Sequence, residues 1–137
     1  MNVINSDMIK RAEKAVEELA SQYSGWAADD IIKLRDILAE AENDASTHDA
    51  RLHDILRIAH DMRGQGSTFG FPLVTRIAGS LCTYLKTPDQ GDIAINVVRA
   101  HIEALDKVIE HKVTDEVSAT AVDILCTLTS TTDEILA

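Results

Sequence analysis

Apolar residues recur every three or four positions through almost the whole chain, the spacing that lines one face of an α-helix. The pattern predicts six helices and no strand. The first covers about Asp7 to Gln22, with Ile9, Ala12, Val16 and Leu19 on one face, and Ser24-Gly25 ends it. The second covers about Ala27 to Asn43 through Ile31, Leu34, Leu38 and Ala41. The third runs from about His48 to Gln65 with Thr47 as its N-cap, on a stripe of Leu52, Ile55, Leu56, Ala59 and Met62. Pro72 stands at a first-turn position and opens the fourth, to about Lys86, on Leu73, Ile77, Leu81 and Leu85. After the break at Thr87-Pro88-Asp89-Gln90-Gly91, the fifth runs from about Asp92 to His111 on Ile95, Val98, Ile102, Leu105 and Ile109. Thr114 caps the sixth, with Asp115 and Glu116 at the positive end of its dipole. Its stripe is Val117, Ala121, Ile124, Leu128 and Ile135.

Long amphipathic helices joined by short connections fold as antiparallel neighbours. The expected architecture is therefore all-α, an up-and-down four-helix bundle with one or two additional N-terminal helices. Residues 47–137 form the four-helix core and residues 1–46 pack on its side or end, within one structural domain. A chain of 137 residues is long enough for one sizeable core.

Composition narrows what such a bundle does. The formal net charge is −10, from 23 acidic and 13 basic residues. Nucleic-acid affinity rests on Lys and Arg neutralising phosphates, and no basic cluster supplies that, so nucleic acid is not an expected partner. No apolar run reaches the ~20 residues that span a bilayer, and the N-terminus has no signal-peptide pattern. Cys82 and Cys126 form no CxxC motif, which fits a reduced, cytoplasmic protein.

The stretch "AHDMRGQGSTFG", residues 59–70, holds three of the six glycines: Gly64, Gly66 and Gly70. On a helical wheel His60 falls roughly 80–100° from the centre of the apolar face, on its rim. Gly64 lies one turn further along the same stripe. A glycine inside a helix costs about 1 kcal/mol relative to alanine, yet here it clears the approach to the imidazole. Arg57 and Arg63 flank His60 at i−3 and i+3. An accessible imidazole beside cations suits a nucleophile that carries an anion such as a phosphoryl group. Read locally, the same features also describe a surface histidine followed by a C-capping turn.

The residues His60, Met62, Arg63, Gly64 and Gly70 resemble the H-x-L-K-G-x5-G signature of histidine phosphotransfer (HPt) domains, with Met for Leu and Arg for Lys. Val74, Ile77 and Leu81 fall where that family has apolar residues on the next helix, and the resemblance covers roughly residues 48–86. It implies a phosphorelay intermediate without an ATP-binding domain. His60 accepts and donates a phosphoryl group, exchanging it with aspartates of response-regulator receiver domains. Its partners are those receivers and/or a hybrid sensor histidine kinase. The family's phosphate-stabilising Lys corresponds to Arg63, joined by Arg57, and its access-giving Gly to Gly64. Gln65, Ser67 and Cys82 complete the expected access and docking surface. Cys82 stands where many members carry a Gln that orients the histidine. A thiol is a poor hydrogen-bond partner, so Gln65 or Ser67 would have to compensate. The alternative from another class is a helical adaptor or inhibitor that binds a kinase or receiver without transfer.

Other residue groups point less far. Asp49, His53 and His60 share a face but lack an adjacent Cys or a Glu-x-x-His set, so no metal site and no cofactor is expected. His101, beside the stripe of the fifth helix, reads as a half-buried histidine bonded to a neighbour. Tyr23 and Trp26 pin the first helix to the bundle. Phe69 and Phe71 either plug the end of the core or form an apolar rim around His60 for docking.

Overall fold

The computed structural model describes residues 5–87 and 93–137. Five α-helices account for most of them: α1 Ser6–Asn43, α2 His48–Gly66, α3 Pro72–Leu85, α4 Ile95–Glu110 and α5 Ala119–Leu136. There is no strand among the described residues. The fold class is all-α, as the periodicity indicates.

The two expected N-terminal helices are one helix of 38 residues. Ser24-Gly25 does not interrupt it, because Tyr23, Ala27, Ile31, Leu34, Leu38 and Ala41 form one in-phase buried stripe across that point. Burying such side chains is worth about 1.5–3 kcal/mol each for the larger ones, against the ~1 kcal/mol that one glycine costs. The Ser24 hydroxyl donates back to the Ala20 carbonyl at 3.1 Å and so leaves the backbone ladder intact.

The four-helix core also differs from the expected one. Helices α1 and α2, α2 and α3, α3 and α4, and α4 and α1 pack in a closed ring, and α5 lies outside it, mainly against α4. The core bundle is thus the C-terminal half of α1 with α2–α4, rather than the segments within residues 47–137. Burial explains the exchange. Along α1 the core takes six residues from Tyr23 to Ala41, whereas α5 supplies only Ala121, Ile124 and Leu128. Ion pairs reinforce the α1–α4 seam: Arg35 bonds Glu103 at 3.0 Å and Asp106 at 2.9 Å, and Arg99 pairs with Glu42.

Local chemistry sets several boundaries. Pro72 takes the first turn of α3, and its stripe residues Leu73, Ile77, Leu81 and Leu85 are all buried. Thr47 precedes α2 but caps nothing; its hydroxyl donates to the Asp44 carbonyl. Instead Asp44 caps the short 3-10 turn Ala45–Thr47 by accepting from the Ser46 amide and hydroxyl. The last helix starts later than expected. Asp115 accepts from the amides of Val117 and Ser118 at 3.1 and 2.8 Å, closing a side-chain turn that competes with helix. Those bonds hold its carboxyl below the usual carboxylate range. Ser118, not Thr114, is the cap, and Val117 stands 85% exposed in the connection rather than in the buried stripe. The break expected at residues 87–91 and the start of the fifth segment at Asp92 fall largely outside the described residues.

At the α2–α3 end, Tyr23 stacks on Phe69 with ring centroids 5.1 Å apart and tilts against Phe71 at 5.6 Å. Trp26 adds an edge-on contact with Phe69. Phe71 is fully buried and Phe69 half-buried, so the pair plugs the end of the core against α1. Burial and the nearby Asp30 carboxylate push the Tyr23 phenol up to about 12.

Candidate functional site

The site is built where α2 leaves the bundle. Leu52, Ile55, Ala59, Met62 and Gly66 bury one face of the helix, which turns His60 out to solvent on the flank nearer α3. Among the described residues no protein group hydrogen-bonds its ring. A Cβ built on Gly64 meets nothing within 4 Å, so the space one turn above the imidazole is open.

Arg63 crosses from α2 toward α3. A Cβ built on Gly79 of α3 lies 3.6 Å from Arg63 Cδ and 3.7 Å from Nε, so the guanidinium stem runs along the surface that Gly79 leaves flat. Arg63 forms no ion pair among the described residues. Arg57 does: its Nη2 lies 3.1 Å from Asp54, which also pairs with Arg51 at 3.0 Å. Of the two cations flanking His60, Arg63 is therefore the one whose charge is not already matched by a carboxylate. Lys86 follows directly on α3. It and Arg63 both pull the Cys82 thiol toward ionisation, although burial outweighs them and raises it overall.

The remaining expected site residues separate. Ser67 is exposed in the turn just after α2. Gln65 is exposed on α2 but about 140° round the helix from His60, on the flank where Asp61 approaches Asp30 of α1. It cannot share the His60 face. Cys82 is 1% exposed and belongs to the core, so it contributes no docking surface. Its position three residues after Gly79 faces the interior because α3 buries both Leu81 and Cys82.

Thr75, which the sequence does not single out, holds the hairpin together with Gly66 and Gly70. The Thr75 hydroxyl donates to the Arg63 carbonyl at 3.0 Å and accepts from the Ser67 amide at 2.7 Å, bridging the last turn of α2 to the first of α3. Gly66 makes that approach possible: a Cβ there would stand 2.7 Å from the Thr75 amide nitrogen and 2.9 Å from the Phe71 carbonyl. Its own carbonyl accepts from the Phe71 amide at 2.8 Å. Gly70 reverses the chain at φ +90°, a conformation glycine adopts without strain. Gly79, also not singled out, is a costly glycine inside an apolar helix, but its neighbour Arg63 belongs to another helix.

His101 offers the opposite environment. It is 3% exposed, with Nδ1 2.8 Å from the Val97 carbonyl and Nε2 3.0 Å from the Ser80 hydroxyl. The carbonyl can only accept, which fixes the proton on Nδ1 and makes Ser80 the donor to Nε2. Burial lowers the pKa of this ring.

The described residues contain no cluster of three or more His, Cys, Asp or Glu side chains suited to a metal ion. Among the described residues no helix is long and apolar enough to cross a membrane. Among the described residues the helical bundle displays an exposed histidine, free of protein hydrogen bonds, beside a cation and a cleared glycine, the features of a histidine-presenting module. The family model of the Hpt domain matches residues 12–119, well over half of the chain, and the chain belongs to that family. The match ends where α5 begins, so it covers the closed ring of α1–α4. No curated protein and no solved structure matches the chain. Family membership makes it a histidine-containing phosphotransfer module of two-component signalling.

Proposed function

We propose that His60 is the phosphoryl-accepting residue and that the chain relays the group between aspartates of response-regulator receiver domains. One observation carries this reading: His60 is solvent-exposed, free of protein hydrogen bonds among the described residues, and overlooks the open space left by Gly64. An unprotonated ring nitrogen attacks the phosphorus of an aspartyl phosphate. The new N–P bond forms as the P–O bond to the aspartate breaks, the carboxylate leaves, and the proton on the other ring nitrogen is released to water. The reverse sequence delivers the group to a second receiver.

Arg63 stabilises the transferred phosphoryl oxygens, with Lys86 adding to the positive field that Arg63 sets up at α3 and Arg57 already paired with Asp54. Charge-assisted bonds from a guanidinium to phosphoryl oxygens are among the stronger hydrogen bonds available. Positioning and charge neutralisation supply most of the catalysis in phosphoryl transfer. Nothing in this scheme requires a bound nucleotide, consistent with a carrier rather than an ATP-dependent kinase. Receivers dock on the exposed flanks of α2 and α3 around His60, Gly64 and Ser67.

Incubation with a phosphorylated receiver tests the proposal. The expected product is phosphate on the chain that is labile to acid and stable to base, and absent from His60→Gln. Transfer that persists in His60→Gln rejects this acceptor. Docking of receivers without any transfer favours the adaptor reading.

A further inference from the structure

Two features of α3 converge on Arg63, and both lie on one stripe. The Thr75 hydroxyl donates to the Arg63 carbonyl at 3.0 Å, which ties the backbone of that residue to the first turn of α3. Gly79 stands one turn further along, at i+4 from Thr75. The three heavy atoms nearest a Cβ built on Gly79 are Cδ, Nε and Cγ of Arg63, at 3.6, 3.7 and 4.0 Å. A side chain at this point would meet Arg63 before anything else. Helix propensity disfavours glycine in such an interior position, and no close backbone requires it, as the backbone of Thr75 does at Gly66.

We propose that Gly79 is a positioning residue for phosphoryl transfer. By carrying no side chain it gives the Arg63 stem a track along α3 that delivers the guanidinium beside His60. This inference rests on the reading of His60 as the phosphoryl acceptor and of Arg63 as its cation. The direction of the track follows from helix geometry. Long side chains on a helix lean toward its N-terminus, so Arg63 leans from its own Cα back toward the turn that holds His60. Because α3 returns antiparallel to α2, the same direction runs toward the C-terminal end of α3, from Thr75 past Gly79. The Cys82 thiol, three residues beyond Gly79, feels the positive charge of Arg63, which agrees with that course.

A side chain at position 79 would lean the opposite way, toward Thr75, and compete with the Arg63 stem for one volume. A lone methyl carbon sits at ordinary contact distance and leaves the stem in place, whereas a longer chain lifts it off α3. Arg63 touches Gly79 through its stem, and the Gly79 carbonyl already accepts from the Thr83 hydroxyl at 3.0 Å. Among the described residues no ion pair holds the guanidinium, so its planar set of donors remains for phosphoryl oxygens.

NMR and transfer kinetics on the full chain test the placement and the role separately. In the native protein, nuclear Overhauser effects are expected between Gly79 Hα and the Arg63 Hγ and Hδ protons. Their absence overturns the inference whether or not phosphate is transferred. With a phosphorylated receiver, Gly79→Gln should accept phosphate about tenfold more slowly, as Arg63→Ala should. Its helicity and its half-saturating receiver concentration should stay native. Gly79→Ala should transfer as the native chain does. The double variant Gly79→Gln/Arg63→Ala should be no slower than Arg63→Ala alone, since both changes act through one guanidinium. Transfer by Gly79→Gln at the native rate overturns the inference. So does a loss that adds in full to that of Arg63→Ala, or one confined to the half-saturating concentration, since either marks a blocked docking surface. These outcomes leave the relay reading standing. A native chain that accepts no phosphate from receivers rejects that reading, and this inference with it.

Discussion

Two helical histidines, exposed His60 on α2 and buried His101 on α4, show how one residue type occupies opposite environments. Both lie on amphipathic helices beside an apolar stripe. His101 is enclosed, and each of its ring nitrogens has a protein partner. Such a ring has no free lone pair with which to attack anything, and burial makes its charged form costly. His60 faces solvent beside a glycine and an arginine that has no carboxylate partner among the described residues, and its ring is available. On the proposed reading, packing leaves the His60 ring available and satisfies that of His101.

The largest expected effects test that contrast at its reactive end. His60→Gln should reduce phosphate incorporation to background in a receiver-transfer assay, with a change in unfolding free energy within about 0.5 kcal/mol, as for other surface substitutions. His101→Ala should do the converse. It should cost about 2–4 kcal/mol in denaturant unfolding through the cavity and the lost buried bonds, while the folded protein still accepts phosphate on His60. If His101→Ala abolishes incorporation under conditions where circular dichroism shows native helicity, the division between the two histidines is wrong.

The glycines sharpen the comparison at smaller scale. Gly66→Ala forces a Cβ against the backbone of Thr75 and should destabilise by about 1–3 kcal/mol, the usual range for overpacking. Gly64→Gln meets open space and should hold or raise helix stability by up to about 1 kcal/mol. It should nonetheless slow transfer by about tenfold or more, equivalent to ~1.4 kcal/mol of barrier, by crowding the imidazole. Equal destabilisation of the two variants in thermal melts would contradict the packing assigned to each.

The smallest effect is one of pH. The pKa of His101 is lowered in the folded chain from its ordinary value of 6.5, so folding favours the neutral ring. Its stabilising contribution is complete above about pH 6.5 and is lost as pH falls through the lower folded value. Unfolding free energy measured from pH 7.5 down to 5 should decline in the native chain and decline less in His101→Gln. An identical decline in both would place the acid sensitivity elsewhere.

Much of the site was legible in the chain because it depends on neighbours along one helix. The i, i+3 and i, i+4 relations among His60, Arg63 and Gly64 follow from helical geometry alone, and so does the outward face of His60. Gln65 is near His60 in sequence, but the turn of the helix carries it about 140° away. Cys82, Thr75, Gly79 and Lys86 depend on how α3 is rotated against α2, and nothing local specifies that rotation.

The sequence by itself determined the helical class, the buried stripes of α2, α3 and α4, and the residues that share the His60 face, since each follows from 3.6-residue periodicity and side-chain size. Only the tertiary structure decided that α1 runs unbroken through Gly25, that it rather than α5 closes the four-helix ring, and that its first four turns stand outside. Those outcomes are set by competition among apolar faces for one core. The stripe from Tyr23 to Ala41 buries more than α5 can, and local propensities cannot register a contest between segments far apart in the chain.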